Sequence, residues 1–199
     1  MSVGLVEAAP AQQQEQEQTR NKSFVFHVSL LYNVLLHREV SRPWWSRIEP
    51  HVILGALPLK EKHHLEMLVE KEGVRAVVTM NQWMELLPNW LGTPVTPNDW
   101  ADAQVEQCFG HTGDFTPPTL ATIQRCVDFL HDQVEQQKTT YVHCKAGRGR
   151  STVIVLAYLM KHRGMTLDAA HSFVRQRRRH ISLHPKQRKI LHGFAATLS

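Results

Sequence analysis

Long apolar runs are missing from this 199-residue chain. The longest mostly apolar stretch, Phe24–Leu36, has about 13 residues and is interrupted by His27, Ser29 and Asn33, whereas a bilayer span needs roughly 20. Cysteine is scarce: Cys108, Cys126 and Cys144 are an odd count with neither a paired framework nor metal-ligand spacing. That excludes a disulfide-stapled scaffold and fits a reducing compartment. No segment repeats, which excludes a solenoid. Histidine is plentiful at 13, but no pair has zinc-protease spacing, so no metal and no cofactor are expected. Carboxylates stop at Asp168. From Ala169 to Ser199 the chain carries Arg175, Arg177, Arg178, Arg179, Lys186, Arg188 and Lys189 with nothing to balance them, more charge than the net +5 of the whole chain. Such a tail attracts polyanions. Apart from Phe173 it lacks the interleaved aromatics of a nucleic-acid binder, so no nucleic-acid partner is expected. No feature points to an obligate protein partner.

Hydrophobic residues at 42% and charged residues at 21% are enough for one sizeable core and too little chain for two. Residues 1–23, rich in Gln, Glu and Ala, read as a disordered extension. Residues 24–43 form an apolar segment with Phe24, Val28, Leu31 and Leu35 on one helical stripe, suited to packing on the domain or to lying in a membrane interface. A secretory signal is not expected, because a basic start and a small-residue cleavage site are both missing. Residues 44–199 read as one domain in which strands alternate with helices. Strands are expected at Val52–Leu57, Arg75–Met80, Val105–Phe109 and Thr140–His143. Helices are expected at Glu61–Glu72, from Pro117-Pro118 to about Gln137, Ser151–Arg163, Leu167–Arg178 and Pro185–Leu198, with a loop through Pro88, Gly92, Pro94 and Pro97. The alternation predicts an α/β fold with a mostly parallel central sheet flanked by helices.

One segment carries chemistry. Tyr141-Val142-His143 ends a strand, Ser151 begins a helix, and between them run Cys144, Lys145, Ala146, Gly147, Arg148, Gly149 and Arg150. A loop leading from the carboxyl end of a strand into a helix N-terminus aims its backbone N–H groups at one point and cradles an anion. Gly147 and Gly149 permit positive φ or close backbone approach. A cysteine at the head of this cradle lies in a positive field that favours the thiolate, which makes Cys144 the candidate nucleophile. Arg150 can fork two hydrogen bonds onto phosphate oxygens and hold the charge of the transition state. Ser151 can donate its hydroxyl to the Cys144 sulfur, and His143 can order the loop through hydrogen bonds. A buried cysteine after a strand is ordinary. The added His, Gly, Arg and Ser at fixed places bring chance agreement to the order of 10⁻⁵ per cysteine.

A leaving alkoxide needs a proton, so a carboxylic acid on a loop facing the cradle is expected. Asp114, in Gly113-Asp114-Phe115-Thr116-Pro117, fits that place; Asp99 and Asp102 are rivals because they too read as loop residues. Asp128 and Asp132, one helical turn apart, read as a solvated face.

With these residues in view, the chain resembles the cysteine phosphatases built on Cys-x5-Arg, in their compact dual-specificity branch. Trp45-Ser46-Arg47-Ile48-Glu49-Pro50, Val52-Ile53-Leu54-Gly55-Ala56-Leu57-Pro58, Val74–Asn81 and His143–Ser151 are similar to the mitochondrial phosphatidylglycerophosphate phosphatases, over roughly residues 24–195. The resemblance implies hydrolysis of phosphatidylglycerophosphate to phosphatidylglycerol, a step towards cardiolipin, on the matrix side of the inner mitochondrial membrane. An anionic phospholipid substrate and peripheral membrane contact follow, with residues 24–43 matching the family's apolar N-terminal stretch. It implies Cys144 as the phosphocysteine nucleophile, Arg150 as phosphate clamp, Asp114 as acid, Lys145 and Arg148 as extra basic groups for the lipid, and Gln187 as a group that positions the attacking water. Gln82-Trp83-Met84-Glu85 departs from the acidic, tyrosine-containing segment usual in the family. Two other readings stand: a dual-specificity phosphatase for phosphoproteins or phosphoinositides, and a non-catalytic anion-binding module.

Overall fold

The computed structural model describes residues 42–89 and 92–198. The expectations for residues 1–41 therefore lie outside the described residues. A five-stranded sheet in the order β1-β2-β5-β3-β4 forms the centre, built from β1 (Trp45–Glu49), β2 (Val52–Gly55), β3 (Val74–Thr79), β4 (Glu106–Phe109) and β5 (Thr139–His143). Strands β2, β5, β3 and β4 run parallel, and β1 pairs antiparallel with β2 at one edge. The expected mostly parallel α/β sandwich is what forms. Buried on both faces, the central strands read as apolar runs rather than alternations: every residue of β2 and β5 is buried.

The helices are α1 (Pro97–Asp102), α2 (Leu120–Glu135), α3 (Arg150–Arg163), α4 (Leu167–Arg177) and α5 (Pro185–Ala195). Helix α3 is buried all round from Arg150 to Met160, and α2, α4 and α5 pack against it. A helix apolar on every face has no solvent side to offer, so it becomes the core of its layer. Gly164 ends it in the left-handed conformation at φ 64°, the usual place for glycine after a helix.

Several expectations need correction. Trp45–Glu49 was not foreseen as a strand. Residues 60–71 form no regular helix but a 3-10 turn (Lys60–Lys62), one α turn (His64–Glu66) and a π turn (Met67–Lys71), because His63 adopts φ 51° and resets the hydrogen-bond ladder. Pro117 and Pro118 precede α2 rather than open it, since Thr119 is the N-cap and accepts from the Thr122 N–H. The loop expected around Pro97 is helix α1, begun by a capping box in which Thr96 and Asp99 bond reciprocally.

Candidate active site

The cradle is set by the sheet behind it. Strand β5 lies between β2 and β3 and releases the chain at His143, where α3 begins only after Gly149. Gly147 takes φ 63°, and a Cβ there would come within 2.4 Å of the Gly55 backbone. Gly149 needs no positive φ, but a Cβ on it would press within 3.0 Å of the Gln187 side chain. Gly147 is therefore required both by close approach to backbone and by dihedral angle, whereas at Gly149 a Cβ would need only the flexible end of Gln187 to give way by a few tenths of an ångström. The Arg178 guanidinium ties the outer side of the loop down. It donates to the carbonyls of Gly147 at 2.8 Å and Ala146 at 3.2 Å, and to those of Pro43 and Trp44. Read in the sequence as one charge of a basic tail, Arg178 is a buried strut.

Cys144 is only 3% exposed. Burial pushes its thiol up, but the Arg150 charge, the Ser151 hydroxyl and the N–H groups of Ser151 and Ala146 pull harder, and the net shift is downward. The Ser151 hydroxyl donates to Sγ at 3.2 Å, the bond expected from the spacing. The surroundings thus shift Cys144 towards the thiolate in a pocket whose apolar burial alone would oppose it.

Arg150 is 2% exposed and bound on several sides. Its Nη1 and Nη2 donate to the two Glu85 oxygens at 2.6 and 3.0 Å, and Nη1 also donates to the Thr112 carbonyl at 2.8 Å. Burial works against its charge, while Glu85, Cys144 and Asp114 hold it up. Glu85 was missed. It belongs to the segment read as a departure from the family pattern, and its partner lies 65 residues further along the chain. The acid is present there, on a 3-10 turn (Trp83–Leu86) whose capping box also joins the Glu85 carboxylate to the Gln82 N–H at 2.8 Å.

Asp114 comes to the cradle from the loop after β4. Its carboxylate accepts from the Lys145 ammonium, lies 3.4 Å from Arg150 Nη2 and accepts the Phe115 N–H at 3.2 Å. The rivals do not converge. Asp99 is spent on Thr96 and Lys60, and Asp102 ends α1 at the surface. Gln187, buried at the start of α5, reaches the loop beside Gly149; its oxygen accepts the His184 N–H at 3.0 Å and its amide donates to the Thr116 carbonyl at 3.3 Å. It links the cradle to the Asp114 loop. His143 is buried beneath the cradle and also bonds to the neighbouring strand. Its Nε2 pairs with Thr79 Oγ1 of β3 at 3.0 Å, and burial and Arg150 push its pKa down to about 3, so it orders the strands beneath the cradle as a neutral ring. Arg148 donates to the His180 carbonyl at 2.9 Å and, with Arg42, Trp44, Ala146, Arg178 and His180, lines an open cleft on the outer side of the loop. That cleft does not reach Cys144.

The remaining cysteines, Cys108 and Cys126, are buried neighbours with sulfurs 3.8 Å apart on β4 and α2. Among the described residues no group of three or more His, Cys, Asp or Glu could hold a metal, and no helix is long and apolar enough to cross a membrane. The arrangement is a cysteine with a downward-shifted thiol at the floor of an N–H cradle, with a fixed guanidinium and a loop carboxylate above it. It can bind a tetrahedral dianion, take up its central atom and protonate the departing oxygen.

Comparison with known proteins agrees with this geometry. The family described as "Dual specificity phosphatase, catalytic domain" matches residues 93–196. The chain is 36% identical over 173 residues to a phosphatidylglycerophosphate phosphatase of Arabidopsis thaliana, covering 86% of this chain and 72% of that one. It is 39% identical over 176 residues to the phosphatidylglycerophosphatase and protein-tyrosine phosphatase 1 of Rattus norvegicus, covering 85% and 87%. A crystal structure of PTPMT1 in complex with PI(5)P superposes with a TM-score of 0.71 at 37% identity, covering 78% of this chain and 96% of that one.

Proposed function

Since the chain belongs to the dual-specificity cysteine phosphatases, we propose that it hydrolyses phosphatidylglycerophosphate to phosphatidylglycerol, supplying the precursor of cardiolipin. The observation that carries the chemistry is the downward-shifted Cys144 thiol, 3.2 Å from the Ser151 hydroxyl and held in the field of Arg150. The lipid substrate rests on the likeness to the Arabidopsis and rat proteins.

In this reading the phosphate monoester enters the cradle as a dianion, and Arg150 swings hydrogen bonds from its present acceptors onto the phosphate oxygens. Cys144 Sγ attacks phosphorus as the bond to the glycerol oxygen breaks, and Asp114 gives that oxygen its proton. Water then attacks the phosphocysteine while Asp114, now a carboxylate, takes a proton from it, and Ser151 steadies the departing thiolate. Gln187, one residue contact from Gly149, orients that water. Lys145 holds Asp114 in place over the cradle, and Arg148 adds positive charge at the loop's outer side. We place the enzyme at the matrix face of the inner mitochondrial membrane; matrix-side protease protection in isolated organelles tests this.

A second reading is favoured by one comparison: the neighbouring PTPMT1 structure holds PI(5)P, and the cradle is basic enough for an inositol phosphate. The deciding experiment is phosphate release by the purified chain from phosphatidylglycerophosphate, phosphoinositides and a phosphotyrosine peptide in parallel, with Cys144→Ser as blank. Preference for phosphatidylglycerophosphate supports the proposal. Preference for another substrate keeps the cysteine mechanism and discards the pathway.

A further inference from the structure

Six large apolar side chains are exposed among the described residues: Trp83, Met84, Leu87, Phe115, Leu120 and Leu198. Four of them belong to the two segments that build the mouth of the site. Trp83, Met84 and Leu87 are 57%, 62% and 62% exposed on and just after the 3-10 turn that carries Glu85, and Phe115, at 56%, follows Asp114 directly. The turn is inverted relative to an ordinary surface element. Its charged residue, Glu85, faces inward onto Arg150 beside the buried Leu86, while its outward positions are apolar.

The two segments form one rim. The Trp83 ring lies 4.4 Å from the His111 ring and 5.4 Å from that of Phe109, so the tryptophan is propped from below although its outer face is bare. His111 Nδ1 pairs with the Asn81 carbonyl at 2.6 Å, and Glu85 and Asp114 converge on the same Arg150. The charge around this rim is positive or cancelled: Arg125, exposed, donates to the Phe109 carbonyl; Lys145 lies under Phe115, with Nζ 6.0 Å from the ring centroid; and Asp114 is paired with Lys145. Contiguous exposed apolar side chains on a folded domain mark a contact surface. A propped tryptophan with cations beside it has the composition favoured at a membrane–water interface.

From this we infer that the Trp83-Met84-Leu87-Phe115 rim is the surface by which the enzyme seats on an anionic phospholipid bilayer, with the cradle opening facing the headgroups. The inference rests on the phospholipid reading above and deepens it. Cys144, nearly fully buried, can reach a headgroup phosphate only if the mouth is pressed against the membrane, and an apolar rim lowers the cost of that approach by entering the interface itself. None of these residues belongs to segment 24–43, which the sequence put forward for membrane contact.

The test uses the full chain and a Trp83→Ser/Met84→Ser/Leu87→Ser variant, with Trp83→Phe as the conservative control. Three quantities are measured: co-sedimentation with phosphatidylcholine vesicles containing phosphatidylglycerol, turnover of phosphatidylglycerophosphate in those vesicles, and turnover of soluble p-nitrophenyl phosphate. The triple variant is expected to lose about tenfold or more in vesicle partitioning, since interfacial binding scales with inserted apolar area. Vesicle turnover should fall in parallel, soluble-ester turnover should match wild type, and Trp83→Phe should retain most of the binding. Unchanged partitioning overturns the inference, as does an equal loss on the soluble ester, which would put these side chains in the reaction itself. A wild-type dimer in light scattering that the triple variant dissociates would assign the surface to a second copy and also overturn it. If wild type binds vesicles through the rim yet hydrolyses only other phosphate esters, the rim stands and the substrate reading falls.

Discussion

Glu85→Ala should injure this protein in a way that a ligand can repair. The substitution removes both acceptors of the Arg150 fork, at 2.6 and 3.0 Å, and leaves a guanidinium that is 2% exposed without its main counter-charge. Deleting one partner of a buried ion pair costs about 3–5 kcal/mol. The Thr112 carbonyl at 2.8 Å and the Asp114 carboxylate at 3.4 Å remain, so the lower end, about 3 kcal/mol, is expected. For a domain of this size that is a fall in Tm of about 6–12 °C. A phosphate dianion in the cradle would restore the missing charge. Calorimetric melts with and without saturating inorganic phosphate should therefore show a larger ligand-induced rise in the variant than in wild type, since binding to the folded state alone adds stability. A variant that melts within about 2 °C of wild type, or that gains no more from phosphate, would refute the view that Glu85 holds the clamp in the empty site.

Ser151→Ala should raise the pH midpoint for alkylation of Cys144 by iodoacetamide, because a hydrogen bond to the thiolate is lost; an unmoved midpoint would show that Arg150 and the backbone suffice. Asp114→Asn should lower kcat for an alkyl phosphate by about 10² to 10⁴ and leave an ester with an acidic leaving group nearly unaffected; equal losses would place the acid elsewhere. The pH dependence of stability has a predictable sign. His143 titrates at about 3 in the fold against an ordinary 6.5, so the unfolded chain takes up its proton first. The stability linked to this ring is present above about pH 6.5 and is lost as pH falls towards 3, on the order of 5 kcal/mol in all. Denaturant titrations at stepped pH should show a shallower acid limb for His143→Asn; parallel limbs would contradict the assignment.

Most of the sheet and of helices α2 to α5 was legible because apolar runs and proline or glycine boundaries act locally. The cradle was legible for the same reason: Cys144, Gly147, Arg150 and Ser151 are fixed by spacing along one loop. What stayed hidden depends on distant pairing. Glu85 is one acid among 18 acidic residues until the fold brings Arg150 to it. Arg178 looks like Arg177 and Arg179 in sequence, yet Arg177 stacks on Phe173 at 3.6 Å while Arg178 turns inward and is buried. Strand β1, with its mixed Trp-Ser-Arg-Ile-Glu composition, has no periodicity strong enough to announce an edge strand. The two remaining cysteines showed no framework spacing, and only the packing of α2 on β4 makes them neighbours.

The contact of Gly147 with Gly55 means that the cradle and the second strand share one thickness of backbone. Neither position has room for a side chain: at 147 it would strike the strand, and at 55 it would meet the Tyr141 hydroxyl at 2.2 Å. The curvature that grips phosphate therefore depends on the spacing of strands as well as on the loop's own backbone. A fault introduced at residue 55, far from the reacting sulfur in sequence, would read out as a misshapen catalyst, and a transplanted loop would keep its grip only on a host that brought a bare strand to lie against it.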